Sequence, residues 1–176
     1  NKQYINDKKT ESKEMVLKGA DISKYHINPT TNYIIFKPES FQQIAPTEMY
    51  RAQEKLLYRF ISSQLVFAYD DKQTLSLNSC NIVIPRIPGI KMKYVLAILN
   101  SRIAQFIYKK EFNSVKVLRS HIENIPIPTV DESTQDNIIA LTEKLISGLE
   151  RLEAEKIYDE LDIFVSQVFN LNPDEF

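Results

Sequence analysis

Apolar positions in the first half of the chain come in short runs separated by turn-forming residues. "EMVLKG" (14–19) stops at Gly19, and "NYIIF" (32–36) follows the turn-forming "NPTTN" at 28–32. "EKLLYRFI" (54–61) and "QLVFAYDD" (64–71) flank Ser62-Ser63, and "TLSL" (74–77) and "NIVIP" (81–85) are separated by "NSC". β-Branched and aromatic residues dominate these runs, which favours strands, while 47–61 is also compatible with a helix. The spacing predicts a small, mostly antiparallel sheet. Residues 1–13 are polar and aperiodic, and read as a linker or a lead-in strand.

The period changes after Pro88-Gly89. Tyr94, Val95, Ile98 and Leu99 fall on one helical face, and Asn100-Ser101 ends that helix, with Ser101 suited to cap the next. Ile103, Phe106 and Ile107 continue the apolar face in the second helix. In "IPIP" (125–128) each Ile precedes a Pro, which holds it extended, so the chain should leave the body there as a stiff strand.

A long amphipathic stretch follows. Thr129 with Glu132 forms a candidate capping box, and Asp131 is a competing cap. Ile138, Leu141, Leu145, Leu149 and Leu152 make a heptad-like seam, and Ile157, Leu161, Phe164 and Val168 resume it after a five-residue step. The slip or break is therefore expected between Leu152 and Ile157. The pattern predicts an α+β fold: the small sheet, a helical pair, then C-terminal amphipathic helices. The divisions are 1–13 as lead-in, 14–129 as the body and 130–176 as a helical appendage.

Charge sharpens that division. The chain of 176 residues has a net charge of −1. Residues 1–129 carry 19 Lys+Arg against 11 Asp+Glu, whereas 130–176 carry 3 against 12. Such a split points to a polyanion-binding body with a separate appendage. Between 86 and 119, eight basic residues face Glu111 alone. A hydrophobic content of 43% is enough for a buried core, and no apolar run is long enough to span a bilayer. A soluble, cytoplasmic protein is expected, and the start at Asn1 without a signal peptide reads as a piece of a longer chain.

Few residues can carry covalent chemistry. Three glycines (Gly19, Gly89, Gly148) cannot make a phosphate-cradling or dinucleotide loop, and Gly148 should either let helices approach or weaken one. His26 and His121 lack partners at ligand spacing, and Cys80 reads as a buried, inert thiol. Glu54 with Asp70-Asp71-Lys72 resembles the acidic-x-Lys pattern of a metal-dependent nuclease, but "YDDKQ" is better explained as a turn between strands. No metal site and no catalytic residue is expected in this chain.

"VLKGADISKY", "EKLLYRFISSQLVFAYDD", "KYVLAILNSRIAQFIY", "IENIPIP" and "DELDIFVSQVFNLNPDEF" occur here in one order over about 15–176. In order and spacing they resemble the TaqI-like C-terminal specificity domain. That is the target-recognition part of N6-adenine DNA methyltransferases and of fused type II restriction–modification enzymes. "IPIPTVDESTQDNIIALTEKL" is also similar to the exit from a recognition domain of a type I specificity subunit.

The resemblance implies a mixed α/β domain that reads double-stranded DNA with its loops in the bacterial cytoplasm. The methyltransferase domain would lie upstream in the same chain, and would bring S-adenosyl-methionine and, for cleavage, magnesium. The family's Asn-Pro-Pro-Tyr tetrad is missing here; the Asn-Pro pairs stand at 28–29 and 172–173. This piece is expected to bind DNA without modifying it, with no cofactor of its own. Its parent would be a site-specific adenine methyltransferase, with or without endonuclease activity.

Side-chain chemistry then nominates residues. Arg86, Arg119, Asn113, Gln73 and Asn78 are candidates for base edges, since Arg can pair with guanine and Asn or Gln with adenine. Lys91, Lys93, Lys109, Lys110 and Lys116 are candidates for phosphates. Two rival readings remain: a scaffold or self-associating module working through the 138–152 seam, and a nuclease built on Glu54, Asp70 and Lys72.

Overall fold

Strand β3 (Lys55–Arg59) is the element around which the rest is assembled. The structure is a computed structural model that describes residues 4–41 and 44–172. The first three residues of the lead-in and the closing 173–176 lie outside the described residues. β3 pairs antiparallel with β4 (Phe67–Asp70) on one side and with β6 (Cys80–Val83) on the other. Its side chains alternate between faces, as a strand's must. Leu56 and Tyr58 enter the main core, whereas Leu57 joins a second cluster with Leu17, Ile22, Val66, Ala68 and Cys80.

A second three-stranded sheet has the order β2-β1-β5, built from β1 (Glu14–Leu17), β2 (Tyr33–Ile34) and β5 (Leu75–Ser76). The prediction of a mostly antiparallel arrangement holds, with two corrections. Among the described residues there are two small sheets rather than one, and β1 runs parallel to β5. Of the lead-in, Asn6 pairs with Tyr33, its amide donating to the Tyr33 carbonyl at 2.9 Å. The helical alternative for 47–61 survives only as the single turn α1 (Thr47–Tyr50).

Helix α2 (Met92–Asn100) is the centre of the main core. Every residue of it except Lys93 is buried, so it is covered all round rather than on the one predicted face. Strand β4 lies on one side, and α5 (Glu132–Ser147) and α6 (Arg151–Val168) cover another. Ile138, Leu141, Leu145, Leu161 and Val165 belong to the same cluster as Tyr94, Leu96 and Ile98. The acidic helices are thus part of the body's core rather than a detached appendage.

The sequence-based expectations for this region need three further corrections. The break falls at Gly148, whose φ of +82° ends α5, and not between Leu152 and Ile157. That backbone conformation suits a residue without Cβ, which explains the glycine better than helix approach does. Leu152 leaves the seam and is 75% exposed. The Ile-Pro-Ile-Pro segment does not leave the body: Ile125 is buried, and the Tyr94 hydroxyl donates to the Pro128 carbonyl at 2.9 Å. Asp131 takes the cap of α5, accepting from the Thr134 amide at 2.9 Å, as the competing reading had it. No helix among the described residues is long and apolar enough to cross a membrane.

Candidate nucleic-acid interface

Helix α3 (Arg102–Glu111) begins where α2 stops. The Ser101 hydroxyl accepts from the Ala104 amide at 3.1 Å, the predicted cap. Beside it, Asn100 does something that periodicity does not reveal. Its side-chain amide donates to the Phe67 carbonyl at 3.0 Å, and its Oδ1 accepts from the Phe67 amide at 2.9 Å. A buried side chain thereby replaces a neighbouring strand along the edge of β4. Gln105 of α3 adds a second tie, its Oε1 accepting from the Leu65 amide at 2.7 Å. The α2–α3 joint is therefore locked to the sheet, and α3 projects from a fixed base.

The last turn of α3 carries Lys109 and Lys110, two cations that complement the carbonyl end of the helix. The 112–118 loop that follows is braced from three directions. The buried Tyr108 ring sends its hydroxyl to the Ser114 carbonyl at 2.7 Å and to that of Lys116 at 3.4 Å. The Ser62 amide donates to Val115 at 2.9 Å, and the Val117 amide to Phe60 at 2.8 Å. Residues 115–117 are thus held beside the β3–β4 hairpin tip, with an isolated antiparallel bridge between Ile61 and Lys116. Phe112 stacks on His121 with ring centroids 4.3 Å apart, tying the loop's start to α4 (Arg119–Glu123). His121 is a packing residue, and its Nδ1 accepts from the Leu118 amide at 3.3 Å. Asn113 turns the chain with a φ of +40°, which Asn tolerates.

The candidate lysines divide into two groups. Lys91 Nζ donates to Glu132 Oε1 at 2.9 Å and to Asp136 Oδ1 at 2.7 Å, and those carboxylates, Asp136 first, hold its ammonium above the usual lysine range. Lys93 donates to Glu143 at 2.6 Å and lies over the Tyr69 ring. Both therefore attach α5 to the body, as Arg102 attaches α6 through Asp159 and Asp162. Lys109, Lys110 and Lys116 are exposed and enter no ion pair among the described residues. Lys110 lies over the Phe106 ring. Phe106 itself is 48% exposed, so the apolar face of α3 is narrower than predicted.

Among the base-edge candidates, Arg86 and Arg119 come together. They line one groove of about 550 Å³, floored by Val95 and Leu99 of α2. Arg119 is held by Glu123 at 2.6 Å on the same helix. Asn113 sits on the braced loop. Gln73 and Asn78 lie elsewhere, on the turns either side of β5; Gln73 donates to the Arg51 carbonyl at 2.8 Å.

Two carboxylates of the nuclease reading, Asp70 and Glu54, are otherwise engaged. Asp70 is buried at the end of β4, accepting from Lys55 at 2.5 Å and from the Thr74 amide and hydroxyl at 2.9 and 2.6 Å. Burial pushes the Asp70 carboxyl up, but those bonds outweigh it and leave its pKa below the ordinary value. Glu54 accepts from the Tyr69 hydroxyl at 2.9 Å. No group of three or more His, Cys, Asp or Glu among the described residues is placed to hold a metal ion. Cys80 is buried, and burial raises its thiol pKa to about 12, as an inert core thiol requires.

Comparison with known proteins places this geometry. Residues 14–127 match the family model of the TaqI-like C-terminal specificity domain. A search of curated proteins finds no match. Among solved structures, the chain is similar to the Type IIL restriction-modification enzyme MmeI in complex with DNA. That similarity has a TM-score of 0.64 at 12% sequence identity, and covers 92% of this chain and 28% of that one.

Proposed function

The chain belongs to the family of TaqI-like C-terminal specificity domains, and from that premise we propose that it is the DNA-recognition module of a restriction–modification enzyme. It grips double-stranded DNA through the face formed by the end of α3, the 112–118 loop and the start of α4. The observation that carries this reading is the contrast between the two groups of lysines. Lys91 and Lys93 are neutralised within the molecule, while Lys109 and Lys110 in the last turn of α3 and Lys116 on the braced loop have no ion-pair partner among the described residues. Cations on a rigid edge supply the phosphate contacts that dominate affinity, and Arg119, Arg86 and Asn113 beside them supply the base readout.

In this reading the parent enzyme is an adenine-N6 DNA methyltransferase. Its catalytic domain, upstream in the same chain, brings S-adenosyl-methionine, and this module holds the target in register with it. Ile138, Leu141 and Leu145 of the seam are buried in the chain's own core, which favours recognition over self-association through that seam.

The test is selection from a pool of random duplexes at low salt. One sequence should be enriched, and Arg119→Ala should relax the preference at one base pair by about 1–3 kcal/mol if the contact is bidentate. Binding of all duplexes alike, unchanged by Arg119→Ala, would refute sequence recognition by this face.

A further inference from the structure

Resting on that reading, we propose that Val115 is a specificity-determining residue that recognises the C5-methyl group of a thymine in the major groove. The starting point is an aliphatic side chain in the wrong place for a core. Val115 and Val117 flank Lys116, the residue that bridges to Ile61. Val117 is 1% exposed, yet Val115 is 62% exposed, more than any other large apolar side chain described in 14–129.

The loop is built to keep Val115 there. Its carbonyl accepts from the Ser62 amide at 2.9 Å, and the Tyr108 hydroxyl holds the carbonyls of Ser114 and Lys116 on either side of it. A β-branched side chain on a fixed backbone has few rotamers, so little freedom is lost when it is covered. Lys116 adjoins it, Lys109 and Lys110 precede it at the end of α3, and Arg119 follows at the start of α4.

An aliphatic group set among cations fits a surface that is anionic with one small apolar feature. A DNA duplex offers that combination in its major groove, where thymine carries a methyl group between the phosphate ridges. Insertion between stacked bases is a poorer match, because Val is shorter than the Phe, Leu, Ile or Met used as wedges. An acidic protein surface would supply the charge but no reason for DNA sequence to matter.

The experiment takes the sequence preferred by the chain and replaces its thymines one at a time by deoxyuridine, which removes only the methyl group. At one position the chain should bind about fourfold more weakly, the worth of one buried methylene-sized group. Val115→Ala should abolish that difference at that position while keeping the same salt dependence. Val115→Thr, of the same shape with a hydroxyl for a methyl, should reduce it. Indifference to deoxyuridine at every thymine, a preferred site without thymine, or the same loss in Val115→Ala would overturn the assignment while leaving DNA recognition intact. Absence of salt-dependent duplex binding would instead overturn the underlying reading, and this inference with it.

Discussion

Changing Lys109 and Lys110 together to Ala should flatten the salt dependence of DNA binding, whereas changing Lys91 and Lys93 together should not. Each phosphate neutralised by a cation contributes about 0.9 to the slope of log affinity against log salt. Lys109 and Lys110 have no carboxylate partner among the described residues, so both should displace counterions from DNA. Losing both removes about 1.8 units of slope, so between about 50 and 200 mM salt the parent should lose about twelvefold more affinity than the variant. Lys91 and Lys93 already face Glu132, Asp136 and Glu143. Their loss should change the slope by less than about half a unit. Fluorescence anisotropy with one labelled duplex, over a salt series, reads all three proteins. An unchanged slope for the Lys109/Lys110 variant, or an equal fall for the Lys91/Lys93 variant, would refute the division of the lysines.

Two stability predictions accompany it. Leu145→Ala should cost about 2–5 kcal/mol in urea melts, because Leu145 is buried in the main core, while Leu152→Ala, on an exposed side chain, should stay within about 0.5 kcal/mol. Asp70→Asn should cost about 3–5 kcal/mol near neutral pH by leaving the buried Lys55 ammonium unpaired. Because the folded Asp70 carboxyl titrates below its ordinary value, its stabilisation is complete above the unfolded pKa of about 3.9 and is lost as pH falls through the lower folded value. The gap between parent and variant should therefore narrow in melts at about pH 3, and a gap of constant size would disprove the linkage.

The elements that local chemistry dictates were legible in the sequence. The strand runs, the Ser101 and Asp131 caps and the inert Cys80 each depend on neighbours a few residues away or on composition. What escaped depends on partners far along the chain. The parallel pairing of β1 with β5 has no local signature. Gly148 breaks the helix without disturbing the apolar period enough to show it, since only its positive φ reveals the stop. In the candidate interface the cationic residue types were visible, but Lys91 and Lys109 are the same residue until α5 is placed over one of them. Asn100 looked like a helix end, and its bond to both backbone groups of Phe67 needs the sheet to be present. Arg86 and Arg119 are brought to one groove by the fold, which their separation in sequence does not suggest.

The closing of the core by α5 and α6 bears on how the chain is made. The hydroxyl of Tyr158 reaches the carbonyl of Lys24 at 3.5 Å, across 134 positions of sequence. A polypeptide emerges from the ribosome N-terminus first, and contacts of that range form only after their second partner has appeared. Until 132–168 are synthesised, the side of α2 that these helices cover is bare to solvent, and the nascent chain carries an unsatisfied apolar helix. A chain stopped before α6 should leave part of that side of α2 exposed. Closure of this core therefore waits on the synthesis of α5 and α6.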